Sequence, residues 1–307
     1  MIGAIIIAAG IGESRKYTDP LQMLGGLSSL QRLILTFKEA NISPIVVVSE
    51  EKEVSAIQKH IMKMGAICLG GKNGENDKLE FAKYGIQFLN NICRRIFITP
   101  VNIPLFSSHT VMELMKIEKI AVVPSFKKKA GHPLLIEKQA YSSILRYKGE
   151  NGIRGALNSE AMQRSFFEVD DEGVVLNLLV EEKKVQQFYK NKYDGEQNRV
   201  LVSLRLAKEN IFFGAGTAEL LELINYEQSV RMASSLMGIS YSKAWKMIKK
   251  MEEGAGCMMV RCQQGGKDGG KAELTENAVL LLKKYRLFEK RLKEEADKIY
   301  DEIFRGE

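Results

Sequence analysis

The sequence predicts an α/β fold class in two domains, a doubly wound sheet domain followed by a mainly helical domain. At 307 residues the chain exceeds the usual size of one domain. Its first part alternates apolar strand-like segments with helical patterns, whereas its last part contains short helices, a glycine-rich turn and one long helix. A polar segment, residues 189–197, interrupts the periodicity between them. We therefore predict domains at residues 1–190 and 198–307.

The first domain opens with an apolar segment, residues 1–9, typical of a strand buried on both faces of a parallel sheet. Further strands are predicted at residues 44–49, 95–99 and 120–124. Helical patterns lie between and after them, at residues 30–40, 53–64, 78–90 and 108–118. In such sheets ligands bind at the carboxyl ends of the strands.

A glycine-rich loop, Gly10-Ile-Gly-Glu-Ser-Arg15, follows the first strand. Backbone amides without side chains can approach phosphates closely, and an arginine adds a forked cation. Two glycines and an arginine after a strand are, by themselves, a weak signal. The loop nevertheless gives the first candidate nucleotide-binding residues, which are Ala8, Ala9, Gly10, Gly12 and Arg15.

Five motifs in order support this interpretation: Ile7-Ala-Ala-Gly-x-Gly-x-x-Arg15, Leu24-Gly-Gly26, Pro100-Val-Asn-Ile-Pro104, Gly131-His-Pro133 and Gly152-Ile-Arg-Gly155. Together they resemble the MobA/MocA-like nucleotidyltransferase family over about residues 1–190. The resemblance implies a Rossmann-like, three-layer domain that binds GTP or CTP. It also implies that active members transfer a nucleotide to a molybdenum cofactor or similar acceptor with Mg²⁺. Asn102 and His132 join the nucleotide-binding candidates, although His132 is equally well explained as a structural imidazole.

Three positions depart from the family pattern. The lysine that the family carries before the Gly-Gly turn is missing from Tyr17-Thr-Asp-Pro-Leu21, with only Lys16 nearby. The metal-holding aspartate before Ile-Pro is Asn102, and a later acidic motif of the family places Asn177 and Leu179 where aspartates are expected. Because Mg²⁺ needs carboxylate oxygens, these departures predict impaired metal-assisted transfer. Replacement ligands stay open among Asp170, Asp171, Glu172, Glu181 and Glu182.

The second domain has a helix-turn-helix pattern. Helices are predicted at residues 217–224, 229–236 and 240–251, with Gly238 in the turn before the last. Ser240 is the predicted N-cap of that last helix, whose apolar stripe leaves Lys243 and Lys246 on the opposite side. Such a helix enters the DNA major groove with its N-terminal residues nearest the bases.

A two-stranded ribbon is predicted after these helices, with strands at residues 257–262 and 272–274 joined by a glycine-rich turn at 265–270. Residues 228–271 hold eight Lys and Arg against three Asp and Glu, a surplus of five positive charges. Phosphate contacts need such a surplus. The candidate DNA-binding residues are Ser229, Arg231, Ser240, Tyr241, Ser242, Lys243, Lys246 and Lys267. The alternative is a helical domain with a solvated lysine face.

Four further motifs carry a second resemblance: Phe213-Gly-Ala-Gly-Thr-Ala-Glu-Leu-Leu221, Ala244-Trp245, Gly265-Gly-x-x-Gly-Gly270 and Leu274-Thr275. They resemble the winged-helix domain of ModE-type molybdate-responsive regulators over about residues 200–290, which implies a winged helix-turn-helix that binds double-stranded DNA. Past it, apolar residues at positions 281, 285, 288, 292, 296, 299 and 303 predict a long helix that pairs in a homodimer.

Composition excludes several other classes. The net charge of +7 permits an anionic partner. The four cysteines lack zinc-type spacing, so they are expected to be reduced core residues. No apolar segment approaches the length of a membrane span and no cleavage site follows the first strand, so we expect a cytoplasmic protein.

Two functions follow from these patterns. The first is a DNA-binding transcriptional regulator, linked to molybdenum cofactor or molybdate metabolism, whose first domain keeps a nucleotide pocket as a sensor. The alternative is an active, Mg²⁺-dependent guanylyl- or cytidylyltransferase with an appended DNA-binding module.

Overall fold

The computed structural model describes residues 1–8, 19–61, 64–71, 78–159, 162, 164–193, 200, 202–262 and 271–305. The chain divides into two compact units, Met1–Gly195 and Glu196–Glu307. Among the described helices, none is both long and apolar enough to cross a membrane.

The first unit contains a mixed sheet. Its strands and a short hairpin are β1 (Ile2–Ile7), β2 (Met23–Leu24), β3 (Leu27–Ser28), β4 (Ile45–Glu50), β5 (Ile67–Gly71), β6 (Arg95–Pro100), β7 (Ala121–Phe126), β8 (Lys129–Ala130), β9 (Leu134–Glu137) and β10 (Arg164–Glu168). The strand order is β10-β7-β9-β6-β1-β4-β5, with β8 beside β7 and β2 paired with β3 outside the sheet. The predicted strands are present, and the α/β Rossmann-like class is confirmed.

Strand β1 is central because its residues are apolar on both faces, and it pairs in parallel with both β4 and β6. The sheet is mixed rather than purely parallel, since β9 runs antiparallel to both β6 and β7. Strand β9 follows the Gly131-His-Pro133 motif, and it is not among the strands predicted from the sequence. The short hairpin formed by β7 and β8 reverses the chain before that motif, so β9 enters the sheet in the opposite direction.

Helices cover this sheet. They are α1 (Ser29–Glu39), α2 (Val54–Ile61), α3 (Lys78–Leu89), α4 (Ser108–Met115), α5 (Tyr141–Arg146), α6 (Gly152–Ser159) and α7 (Glu182–Tyr193). Ser28 and Gln31 form a capping box that starts α1. Phe37 on the buried face of α1 packs against Phe97 and Phe106, with ring centroids 5.8 and 5.7 Å away. The local signals therefore determined where this helix begins and which face it buries.

The second unit is mainly helical. Its elements are β11 (Arg205–Ala207), β12 (Ile211–Gly214), α8 (Ala215–Glu227), α9 (Val230–Leu236), α10 (Tyr241–Ala255), β13 (Val260–Cys262), β14 (Ala272–Leu274) and α11 (Glu276–Tyr300), followed by a π-helical segment, Asp301–Arg305. Strands β11 and β12 pair in antiparallel, as do β13 and β14. The long C-terminal helix is present as predicted.

The capping residues explain the boundaries of α9 and α10. Ser229 accepts a hydrogen bond from the Met232 N–H, and Ser240 accepts one from the Lys243 N–H. Helix α10 ends at Gly256, whose φ of +77° is a left-handed conformation that suits glycine. The prediction that all cysteines are core residues was wrong, because Cys262 is exposed, and Cys257 lies before β13 rather than on it.

Candidate functional site

The carboxyl ends of β1 and β6 lie side by side and bring Ala8 and Asn102 to one edge of the sheet. The Val101 N–H donates to the Ile7 carbonyl over 2.9 Å, and the Ala8 N–H donates to the Val48 carbonyl over 2.8 Å. Both Ala8 and Asn102 are 1% exposed. The other loop candidates, Ala9, Gly10, Gly12 and Arg15, lie outside the described residues.

Asn102 is joined to a segment far along the chain, residues 173–178, which we call the bridging segment. The Asn102 Nδ2 donates to the Asn177 Oδ1 over 2.7 Å. The Leu178 N–H donates to the Asn102 carbonyl over 2.9 Å. The two asparagines that stand where the family resemblance places carboxylates therefore form a directly hydrogen-bonded pair. Asn177 and Leu179 both stand where the resemblance places aspartates, and the side chain that contacts Asn102 is that of Asn177.

The direction of this hydrogen bond is fixed by a third group. The Leu179 N–H donates to the same Asn177 Oδ1 over 2.9 Å. A backbone N–H can only donate, so this Asn177 atom is the oxygen, and the Asn102 atom facing it must be the amide nitrogen. The Asn102 Oδ1 consequently points elsewhere, and it is buried without a hydrogen-bond partner among the described residues. An unpaired buried acceptor costs about 1–3 kcal/mol, so this oxygen marks a position for a donor that the described chain does not supply.

Asp171, two residues before the bridging segment, is a carboxylate that is already engaged. Its Oδ2 accepts hydrogen bonds from the Ser107 N–H and the Thr110 hydroxyl, each over 2.7 Å, and its Oδ1 accepts from the Gly173 N–H over 3.1 Å. Asp171 is 7% exposed. This carboxylate therefore anchors the start of α4 to the bridging segment.

The other proposed replacement ligands do not gather around Asn102. Glu172 and Glu181 lie 2.6 and 3.9 Å from the Lys184 ammonium, and Glu182 accepts a hydrogen bond from Gln22. Asp170 is exposed. Within the described ranges there is no group of three His, Cys, Asp or Glu side chains that could hold a metal ion. The described residues therefore do not fit a divalent cation, which takes oxygen ligands that are mainly carboxylates.

The Leu24-Gly25-Gly26 turn is held by a buried arginine. Arg32 donates to the Leu24 carbonyl, and its guanidinium lies 4.3 Å from the centroid of the Tyr189 ring. Gly25 has a φ of +64°, and a Cβ there would meet the Tyr189 side chain. Residues 19–26 contain no lysine, so the described part of this turn does not supply the cation that the family pattern places before it.

His132 lies in the connection between β8 and β9. Its backbone N–H donates to the Val174 carbonyl of the bridging segment over 2.9 Å. Burial lowers the pKa of the His132 imidazole to about 4, although a hydrogen bond with the Ile98 backbone opposes this shift and the Lys78 ammonium adds to it. The ring is therefore neutral at pH 7, and its Nδ1 is buried without a hydrogen-bond partner in the described part of the chain.

The bridging segment connects two of the sequence motifs, a role that the sequence did not reveal. Val174 contacts the His132 motif and Asn177 contacts the Asn102 motif. A Cβ at Gly173 would collide with the Leu105 carbonyl, so only glycine lets the backbones approach this closely. The one local signal was this glycine after three acidic residues, residues 170–172.

In the second unit, the candidate DNA-binding residues are largely on the surface. Arg231, Tyr241, Ser242, Lys243 and Lys246 are exposed. The Arg231 guanidinium lies 5.5 Å from the centroid of the Tyr241 ring, which in turn meets Trp245 edge to face at 6.2 Å. The start of α9 and the start of α10 therefore share one exposed surface.

The remaining DNA-binding candidates have other positions. Ser229 and Ser240 use their hydroxyls as N-caps. Lys267 lies outside the described residues, at a position between β13 and β14 in the sequence.

The first unit resembles solved nucleotidyltransferases in fold. A nucleotidyl transferase from Methanothermobacter is 14% identical with a TM-score of 0.52, covering 62% of this chain and 99% of its own. A 4-diphosphocytidyl-2C-methyl-D-erythritol synthase from Anaerococcus prevotii is 14% identical with a TM-score of 0.51, covering 63% and 96%. At these identities the likeness concerns the fold.

A third structure, the Rv0371c protein of Mycobacterium tuberculosis H37Rv, is 14% identical with a TM-score of 0.51 over 61% of this chain and 96% of its own. No curated protein matches the sequence. Residues 4–165, more than half of the chain, match the family of MobA-like NTP transferase domains. Because this match covers more than half of the chain, the chain belongs to the MobA-like NTP transferase domain family.

Proposed function

We propose that the Met1–Gly195 unit binds a nucleoside triphosphate, GTP or CTP, at the carboxyl ends of β1 and β6. The observation that carries this proposal is the buried Asn102 Oδ1, an unpaired acceptor at the edge where nucleotides bind in this fold class. Family membership gives the ligand class, and the neutral His132 ring supplies a second unpaired acceptor close to the bridging segment.

Calorimetric titration with GTP, CTP and ATP tests this proposal. Asn102→Ala removes the acceptor and should weaken binding at least about tenfold, the effect of one buried hydrogen bond of about 1.4 kcal/mol. Asn91→Asp, at an exposed position at the end of α3, is the control and should bind like the wild type. Equal affinity of the Asn102→Ala variant and the wild type would remove the support for this site.

Nucleotidyl transfer with Mg²⁺ is the second candidate for this unit, and family membership favours it. An active transferase should release pyrophosphate from GTP or CTP in the presence of Mg²⁺ and a molybdopterin acceptor. The asparagine pair lacks the anions for cation binding, so we expect little release from the wild type and more from an Asn102→Asp, Asn177→Asp double variant. Rapid release of pyrophosphate by the wild type would instead support the transferase function.

For the Glu196–Glu307 unit, the proposal is binding of duplex DNA by a winged helix-turn-helix, with the whole chain acting as a transcriptional regulator in molybdenum cofactor or molybdate metabolism. The exposed lysines on α10 and the serine cap at its start support a recognition helix. Exposed cations neutralise phosphates at little desolvation cost, so Lys243 and Lys246 suit this role.

Fluorescence anisotropy with duplex DNA at two salt concentrations tests DNA binding. The Lys243→Ala, Lys246→Ala variant should bind more weakly, and the slope of log affinity against log salt should fall by about two. A Lys283→Ala, Lys284→Ala variant removes the same charge from the exposed face of α11 and serves as the matched control. Equal effects of the two variants would indicate a general charge effect and contradict a recognition helix.

We also propose a homodimer through α11. Tyr285 of its apolar stripe is buried within the unit, but Phe288 and Ile299 are about half exposed, and Ile303 in the π-helical segment that follows is 65% exposed. Such a stripe on a helix of 25 residues is typical of a helix that pairs with a second copy. Light scattering should give twice the mass of the chain, and Phe288→Glu with Ile299→Glu should give a monomer.

A further inference from the structure

We infer that this domain binds its nucleotide without a divalent cation, and that the Asn102 Oδ1 accepts a hydrogen bond from the ligand in the place where the family fold implies a metal site. The inference rests on the proposed nucleotide binding. Where the family fold implies that a metal ion neutralises phosphate charge, this site instead binds its ligand through a neutral hydrogen bond.

The amide pair has one available oxygen. The Asn177 Oδ1 already accepts two hydrogen bonds, from the Asn102 amide and the Leu179 N–H. A carbonyl oxygen has two lone pairs, so this atom has no remaining capacity for a cation. The Asn102 Oδ1 is the free acceptor of the pair.

One neutral carbonyl cannot hold Mg²⁺. This cation keeps its water shell unless anionic oxygens replace part of it, and it requires nearly octahedral geometry. Asp171 accepts three hydrogen bonds from the protein, and Glu172 pairs with Lys184, so neither carboxylate is free to join Asn102. The described residues thus lack both the charge and the number of ligands for such a site.

The same carbonyl is well suited to a neutral donor. Asn102 is 1% exposed, so bulk water does not hydrate its Oδ1, and the cost of the unpaired acceptor is recovered when a ligand supplies a hydroxyl or an N–H. The pair with Asn177 also holds the amide plane in one orientation, which fixes the direction from which a donor must approach. A nucleotide carries such donors on its sugar and its base.

Isothermal titration calorimetry with unlabelled GTP and CTP, in excess EDTA and in excess Mg²⁺, tests the inference. The wild type should bind with affinities that agree within about twofold in the two conditions, because the described residues around Asn102 offer no carboxylate that recruits the cation. The Asn102→Asp, Asn177→Asp variant should bind at least about tenfold more tightly in Mg²⁺ than in EDTA, since two facing carboxylates need a cation between them.

The outcomes separate this inference from the proposed function. Wild-type binding that weakens tenfold or more in EDTA overturns the cation-independent site but leaves nucleotide binding intact. Wild-type binding in neither condition overturns the proposed function, and this inference with it. Unfolding temperatures provide a second measurement for the double variant. Mg²⁺ should raise the unfolding temperature of the double variant but not that of the wild type. An equal rise in both also overturns the inference.

Discussion

Replacing Asn102 with Asp should destabilise the first unit, whereas the same chemical change at Asn177 should not. The two asparagines contribute different atoms to their shared hydrogen bond, because Asn102 donates its Nδ2 and Asn177 accepts with its Oδ1 over 2.7 Å. In Asn102→Asp the donor becomes an oxygen, so two buried acceptors face each other. In Asn177→Asp the accepting oxygen is retained, and both donors remain.

The expected magnitudes follow from burial. Asn102 is 1% exposed, so Asn102→Asp places an unpaired charge in the interior and should lower the free energy of unfolding by about 3 kcal/mol. In Asn177→Asp the hydrogen bonds become charge-assisted, but the carboxylate loses part of its hydration, so the free energy of unfolding should change by no more than about 1 kcal/mol. For a unit of this size, the difference corresponds to about 4–8 °C in unfolding temperature.

Circular dichroism during urea and thermal unfolding measures both variants. The only tryptophan of the chain, Trp245, lies in the second unit, so its fluorescence separately reports the unfolding of that unit. Because a protonated carboxyl can again donate to Asn177, the penalty of Asn102→Asp should shrink as the pH falls. Equal losses in the two variants, or a larger loss in Asn177→Asp, would refute the assigned direction of the bond.

Three other predictions concern stability. Burial lowers the pKa of His132 from 6.5 to about 4, so the folded unit binds fewer protons than the unfolded chain, and its free energy of unfolding should fall by up to about 3 kcal/mol as the pH drops through this interval. His132→Asn should remove that dependence in urea titrations, and an unchanged pH profile would contradict it. Gly173→Ala should lower the free energy of unfolding by about 2 kcal/mol, because its Cβ would meet backbone atoms. The control Gly26→Ala, at a position with open space for a Cβ, should lower it by less than about 1 kcal/mol. Equal losses in the two variants would argue against the close backbone approach at Gly173. Arg286→Met should lower the free energy of unfolding of the second unit by about 3 kcal/mol, measured by tryptophan fluorescence, because it leaves the Glu222 carboxylate, whose side chain is only 12% exposed, without its two 2.9 Å hydrogen bonds. A change below about 1 kcal/mol would contradict this.

Local features of the fold could be predicted from the sequence. The apolar residues of β1, the serine caps of α9 and α10 and the helical stripe of α10 are all properties of neighbouring residues, and they placed these elements within a few positions of their observed bounds. The family motifs likewise depend on short segments, and they identified the nucleotidyltransferase-type domain. Both kinds of signal depend only on neighbouring residues, so they can be recognised in a single sequence.

The bridging segment could not be predicted in this way. Its Asn177 lies 75 positions from Asn102, and no periodicity connects the two. Alignment alone left Asp171 as a candidate ligand, but its carboxylate is engaged by the start of α4, 61 and 64 residues away. These long-range hydrogen bonds depend on which loops the sheet order brings together.

The sequence by itself therefore determined the element order, the family of the first unit and the absence of aspartate at Asn102. The tertiary structure alone decided that β9 enters the sheet in antiparallel and that Asn177, rather than Leu179, contacts Asn102. It also decided that one carbonyl of that pair has no partner among the described residues. The physical reason is that capping and periodicity act over a few residues, whereas hydrogen-bond satisfaction in the interior depends on groups that only folding brings within 3 Å.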